Sequence, residues 1–302
     1  MKKAISILGP THCGKTELAI EINNRFPSKI ISVDSVQLYK DATLGSSKPD
    51  QKILDKNYHA LINVLEVEEE FSVKKFLDEV AKELSDENQN FLFVGGSMMY
   101  FHSLFEGISK LPEKNDLLRE EILKEAKKVG WERMHQRLST VDPISAENIK
   151  PNDSQRILRA LEVNKLSKAS FTSLKQQKEK SLIENFDKIS IAIIPRCKKI
   201  FKEKLKERFE KMIDQGLIEE TKDILKKTNG RRIKVLETVG YKQVVEYIDN
   251  KVSHEEMIEL ATNATYQLAK RQITWLKKFN LDKTFFSDED DKVMKILSMI
   301  KN

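Results

Sequence analysis

A chain of 302 residues is long enough to bury a substantial core in one large domain or two smaller ones. Hydrophobic residues make up 39% and charged residues 33%, mixed in sign, which fits a globular protein and excludes a disordered one. The formal net charge of +6 fits an anionic partner, nucleic acid or a phosphorylated metabolite, as well as it fits a merely lysine-rich composition. Two cysteines, Cys13 and Cys197, exclude a disulfide framework and any C-x-x-C metal site, and the five histidines show no ligand spacing. The apolar stretch Ala4 to Leu8 is too short for a signal peptide, and there is no apolar run of the roughly 18 residues a membrane span needs. The expectation is a cytoplasmic protein with reduced thiols.

Residues 3 to 8 read as a short buried strand, followed by a glycine loop from Gly9 to Gly14 and a helix from Lys15 to Arg25. Pro27 and Ser28 break the chain before a second strand, Lys29 to Val33. A third strand is expected over His59 to Leu65, an amphipathic helix from Ser72, and a buried strand from Phe91 to Val94 ended by Gly95 and Gly96. Met98, Met99, Phe101 and Phe105 read as core, as do Trp131 and Trp275. Strands alternating with helices predict an α/β fold with a parallel sheet flanked by helices. From Glu113 to about Lys180 the pattern is helical, with breaks at Gly130, Asp142-Pro143 and Pro151-Asn152. This predicts an all-helical insertion over residues 113–187 in a core made of 1–112 and 188–302. The chain returns to the sheet with Lys188 to Ile194, is mostly helical from Lys198 to Phe279 with a break at Asn229-Gly230, and ends in a short strand at Phe285-Phe286 and a helix from Lys292 to Ile300.

Gly9-Pro10-Thr11-His12-Cys13-Gly14-Lys15-Thr16 fits the phosphate-loop pattern G-x-x-x-x-G-K-[ST]. Its glycines allow a tight turn in which successive backbone N–H groups converge on phosphate oxygens. The helix that follows aims the positive end of its dipole at the same point. Lys15 supplies a point charge, and the Thr16 hydroxyl is placed to ligate Mg²⁺. The loop specifies phosphate but not the reaction: a kinase, a GTPase-like switch and a transferase with a diphosphate leaving group all use one. The nearest string to a guanine-reading N-K-x-D motif, Asn164-Lys165-Leu166-Ser167, lacks the aspartate, which disfavours the GTPase. Asp34 falls at the carboxyl end of a buried strand, on the sheet edge that faces the ligand crevice, where it suits either a water-mediated Mg²⁺ contact or general-base work.

At this point the ordered strings resemble a family, the tRNA dimethylallyltransferases (tRNA isopentenyltransferases). They are the phosphate loop, Ile30 to Lys40, Gly45-Ser-Ser-Lys48-Pro49, Val94-Gly-Gly-Ser97 with Tyr100, and Pro151 to Arg156 with Arg159 to Glu162. Further on come Arg208 with Met212 and Gly216-Leu217, Val239-Gly-Tyr-Lys242, and Ala269 to Trp275. The resemblance runs from about residue 4 to residue 279. It implies transfer of a dimethylallyl group from dimethylallyl diphosphate to N6 of the adenosine 3′-adjacent to the anticodon, position 37, by a monomer that uses Mg²⁺ held at Thr16. An ATP-dependent small-molecule or nucleoside kinase is the alternative.

The resemblance also distributes the roles. Gly9, Pro10, Thr11, His12, Cys13, Gly14, Lys15 and Thr16 hold the diphosphate. Asp34 takes the N6 proton, Thr11 orients the reacting groups, and Arg208 meets the charge that builds on the leaving group. Contacts to the tRNA anticodon stem-loop are implied for Asp34, Ser35, Val36 and Gln37; for Ser97 and Arg119; for Gln155, Arg156, Ile157, Leu158 and Arg159; for Val239, Gly240, Tyr241 and Lys242; and for Ala269, Lys270, Arg271 and Gln272. The residues themselves point to RNA as well: Arg156 and Arg159 are three apart on a predicted helix, and residues 196 to 211 carry eight Lys or Arg against three Glu. The chain departs from the family pattern at His12-Cys13, where small residues are usual, at Ser97, where Thr is usual, and at Met98-Met99, Tyr266 and Glu237.

Overall fold

The structure, a computed structural model, describes residues 2–85 and 89–301 and divides into two compact units. The first comprises Met1–Phe105 and Leu182–Asn302, and the second Glu106–Ser181.

The first unit is built on a six-stranded sheet in the order β3-β2-β4-β1-β5-β6. The strands are β1 (Lys3–Leu8), β2 (Lys29–Val33), β3 (His59–Ala60), β4 (Phe91–Gly95), β5 (Asp187–Ile194) and β6 (Lys283–Phe286), and every pairing is parallel. Parallel sheets are covered on both faces, and the central strands accordingly read as near-continuous apolar runs rather than alternating ones. In β1 and β4 all residues but Lys3 are buried. The register sets Leu8 beside Gly95 and Ala192, and Val33 beside the same Gly95. The carboxyl ends of β1, β2 and β4 therefore lie side by side, and the chain leaves them at Gly9, Asp34 and Gly96.

Helices α1 (Lys15–Arg25), α2 (Gln51–Lys56), α3 (Val73–Glu83) and α4 (Met98–Glu106) follow the strands. Ser72 caps α3 by accepting from the Lys75 amide at 3.2 Å. The expected strand to Leu65 stops at Ala60, because Leu61 and Asn63 take left-handed φ values of 63° and 57° that cannot continue a ladder; Leu65 keeps a single bridge to Tyr39. Met98 and Phe101 are buried as expected, but Met99 is half exposed: α4 presents one face to the core and Met99 lies on the other.

The second unit is helical: α5 (Asp116–Val129), α6 (Trp131–Val141), α7 (Pro143–Asn148), α8 (Ser154–Ser167) and α9 (Phe171–Gln176). Its breaks are capped by side chains, Asp142 accepting from the Ser145 amide and Asp153 from the Arg156 amide. Its core holds Ile122, Met134, Leu138, Ile157 and Ala160, and α8 also carries a buried carboxylate, Glu162. After β5 the first unit resumes with α10 (Lys198–Asp214), α11 (Leu217–Lys227), a 3₁₀ turn (Lys234–Glu237), α12 (Tyr241–Ile248), α13 (His254–Leu276) and α14 (Lys292–Lys301). Helix α13 opens with a capping box between Ser253 and Glu256. No helix among the described residues is long and apolar enough to cross a membrane.

Candidate active site at the carboxyl edge of the sheet

The loop between β1 and α1 bends on backbone that most residues avoid. His12 and Gly14 both have positive φ, 62° and 70°, and Gly14 is the residue from which α1 starts. Lys15 folds back over the loop, its Nζ donating to the Pro10 carbonyl at 2.6 Å. From α10, Arg208 reaches across and donates through Nη1 to Thr11 Oγ1 at 3.2 Å, with His12 Nδ1 at 3.5 Å. Cys13 points the other way and is buried in the apolar cluster with Ile5, Leu18 and Leu92.

The electrostatics identify the kind of ligand this arrangement suits. Burial pushes Lys15 below the ordinary lysine value; Cys13, Asp34 and Glu17 oppose that and Arg208 adds to it. Burial likewise lowers Arg208, with only Glu17 to oppose it. Two cations held together with so little compensating negative charge make a site that an anion stabilises.

Asp34 follows the last residue of β2. Its Oδ1 accepts from the backbone N–H groups of Val36 at 2.8 Å and Gln37 at 3.2 Å, closing a tight turn. Among the described residues, its Oδ2 has no hydrogen-bond partner. The carboxylate is thus fixed by one oxygen and available through the other. Ser97 joins the ends of β2 and β4: its Oγ accepts from the Ser35 amide at 3.0 Å and its N–H donates to the Val33 carbonyl at 3.2 Å. Gln37 is tied at both ends of its amide, Oε1 accepting from Ser32 Oγ and Nε2 donating to the Ser47 carbonyl. Gln272 of α13 donates to the Gly96 carbonyl at 2.8 Å.

The loop from Thr43 to Lys48 that meets Gln37 is held by a residue that the sequence reading did not single out. Glu220 of α11 accepts from the amides of Thr43, Leu44 and Gly45 at 2.9–3.2 Å and from the Tyr241 hydroxyl at 2.5 Å. Gly45 packs so closely on the Tyr241 ring that a Cβ there would overlap it. No local sequence signal marks Glu220, because its amide partners lie about 176 positions away in the chain.

The expected site residues fall into distinct groups. The phosphate loop, Asp34, Ser97, Arg208 and Gln272 share the carboxyl edge of the sheet. Tyr241 and Ala269 are fully buried, so their side chains have no surface to offer an RNA in this conformation; Lys242, Lys270 and Arg271 are exposed. In the helical unit Ile157 is core, Gln155 and Arg156 are exposed, and Leu158 is partly buried. Arg119 and Arg159 both bind Glu162, through Nε at 2.8 Å and Nη1 at 2.6 Å. Arg156 and Arg159 therefore do not present one free basic face; Arg156 pairs with Asp153 on the surface.

Comparison with known proteins settles the kinship. The family model described as IPP transferase matches residues 37–279. The chain belongs to the IPP transferase family. Among solved structures it is similar to the full-length tRNA isopentenylpyrophosphate transferase of Bacillus halodurans (27% identity, TM-score 0.71, covering 100% of this chain and 96% of that one). It is equally similar in sequence to the tRNA Δ2-isopentenylpyrophosphate transferase of Staphylococcus epidermidis (27% identity, TM-score 0.68, covering 100% and 99%). A eukaryotic dimethylallyltransferase acting on tRNA shares the fold at 22% identity, with a TM-score of 0.81 over 99% of this chain and 78% of that one. The structures it matches are prenyl-transferring enzymes, as is this chain by family, and nothing in these matches supports a kinase.

Proposed function

We propose that this chain transfers the dimethylallyl group of dimethylallyl diphosphate to N6 of adenosine 37, 3′-adjacent to the anticodon of tRNAs, giving N6-isopentenyladenosine and diphosphate. The observation that carries the reading is the convergence on one sheet edge of an anion cradle, Lys15 with Arg208 and Thr11, and of a fixed carboxylate, Asp34, with one free oxygen.

The chemistry asks for these two parts. An adenine N6 amine is a weak nucleophile because its lone pair is delocalised into the ring. As N6 bonds to the allylic carbon, the carbon–oxygen bond to diphosphate breaks and its electron pair leaves with the bridging oxygen. The Asp34 carboxylate takes the proton that N6 sheds. Lys15, Arg208 and the loop amides meet the negative charge that appears on the leaving oxygen, in positions fixed before the reaction begins. The Thr11 hydroxyl, held by Arg208, orients the diphosphate.

Mg²⁺ fits the donor set. Among the described residues, the Thr16 hydroxyl in the first turn of α1 has no protein partner, and it follows directly on Lys15. Thr16 would hold the ion, which supplies further neutralisation of the diphosphate when bound. The target adenine leaves its stack to reach the sheet edge, as bases do in other base-modifying enzymes. Exposed Lys242, Lys270 and Arg271, together with the lysines of α10, support an RNA backbone contact. The same reading has the protein act as a cytoplasmic monomer on the anticodon stem-loop.

The test mixes purified protein, Mg²⁺, labelled dimethylallyl diphosphate and unmodified tRNA bearing A37. Label in the tRNA, abolished by changing A37 to another base, is the expected result. An absence of label at any enzyme concentration overturns the reading.

A further inference from the structure

The histidine at the tip of the phosphate loop is not required by the motif, where any residue is allowed at that position. Its setting gives it a use. The left-handed backbone at residue 12 puts the imidazole beside Arg208, with Nδ1 3.5 Å from the guanidinium Nη1. A guanidinium only donates, so Nδ1 can meet it only as an acceptor, with the proton of the neutral ring on Nε2. The charged groups facing the ring are Arg208 and Lys204 from α10, and Lys15 and Glu17 from the start of α1. Burial first, and then three cations against one carboxylate, hold the imidazole below its ordinary value.

We infer that His12 is a proton-coupled contact for the diphosphate: the imidazole is neutral in the free protein, takes up a proton from solvent as diphosphate binds, and donates to it as an imidazolium. A diphosphate seated on the loop brings several negative charges to the centre of Arg208, Lys15 and Lys204. It reverses the local field at His12, which adds to burial in keeping the ring neutral before the ligand binds. The leaving diphosphate carries more charge than the ester, so the imidazolium favours the product side of bond breaking and also slows product release.

The inference rests on the reading of the loop as a diphosphate site. Its test uses inorganic diphosphate with Mg²⁺ and the whole protein, and it needs no turnover. Binding is measured calorimetrically near pH 7.5 in buffers of different ionisation enthalpy, for the wild type and for His12→Asn, since Asn tolerates left-handed backbone. Protons released by diphosphate itself are common to both proteins and cancel in the difference. The expected difference approaches one proton taken up per diphosphate by the wild type, and affinity falls more steeply with rising pH in the wild type than in the variant. In parallel, the His12 ring resonance of the wild type is titrated by NMR, which requires no variant to fold; its midpoint is expected to move to higher pH when diphosphate is present. Equal proton counts and an unmoved midpoint, with diphosphate still binding, overturn the role of His12 alone. Failure of diphosphate to bind either protein overturns both it and the diphosphate reading.

Discussion

Asp34 has one oxygen committed to two backbone amides and one free, so exchange for asparagine keeps the turn and removes the base. Asp34→Asn is expected to lower the rate of prenyl transfer about 10²–10⁴-fold while leaving the affinity for inorganic diphosphate within about threefold. Steady-state kinetics beside a direct binding titration checks the split, and a parallel loss of both would move Asp34 from proton transfer to ligand binding. The two thiols test the loop's interior. Burial raises the Cys13 thiol to about 11, against a smaller opposing effect of Lys15, whereas Cys197 is exposed. Iodoacetamide at pH 8 is therefore expected to label Cys197 quickly and Cys13 only on unfolding, as peptide mass spectrometry would show.

At the scale of elements, two carboxylates, the buried Glu162 and the half-buried Glu220, each tie several segments of their own unit together. Glu162 accepts from Arg119, Arg159 and the Asn115 amide and ties α5, α8 and the segment before α5 together. Burial alone would raise its carboxyl, but the hydrogen bonds from Arg119, Arg159 and Asn115 outweigh it and hold the group below the usual range. A depressed carboxyl contributes stability that is present above the unfolded-state value and is lost as pH falls through the folded one. The helical unit is thus expected to lose stability below about pH 4, and Glu162→Gln to cost about 3–5 kcal/mol at neutral pH by leaving two guanidinium groups short of a partner. Denaturant titrations at pH 7 and at about pH 3 would show the variant losing less on acidification than the wild type; an equal loss refutes the assignment. Glu220 does the corresponding work in the first unit. Glu220→Ala leaves three amides and the Tyr241 hydroxyl without their acceptor; an expected cost of about 1–3 kcal/mol falls mainly on the buried Tyr241 hydroxyl, since the Thr43 amide is exposed to water. The loop to Lys48 should then become sensitive to proteolysis.

Over the whole molecule, a net charge of +6 and the run of lysines on α10 make RNA binding an electrostatic question. Affinity for tRNA is expected to fall linearly on a log–log plot with salt. Reversing two exposed lysines together, Lys199→Glu with Lys202→Glu, should reduce that slope by about 1–2 while leaving inorganic diphosphate affinity unchanged. Filter binding between 50 and 200 mM salt measures both, and an unaltered slope would remove α10 from the RNA contact.

The sequence by itself determined the local structure that depends on neighbours in the chain. The phosphate loop, the strand before it and the helix after it are one contiguous stretch whose backbone conformation follows from residues 3 to 25. Asp34 is legible for the same reason: a buried apolar strand ending in a carboxylate needs a parallel sheet and nothing more. The helical breaks at Gly130, Asp142-Pro143 and Pro151-Asn152 are written in glycine, proline and the capping aspartates Asp142 and Asp153, and the start of α13 in its own capping box. Only the tertiary structure decided what long-range pairing settles. It showed that Arg119 and Arg159 serve Glu162, that Tyr241 and Ala269 are core, and that Glu220 holds a loop from α11. It also brought Arg208 to Thr11 and His12 from 197 and 196 positions away. A motif records the φ, ψ and hydrogen-bond demands of adjacent residues. Which distant side chain meets it depends on how helices pack over the sheet, and that is a property of the whole core rather than of any segment.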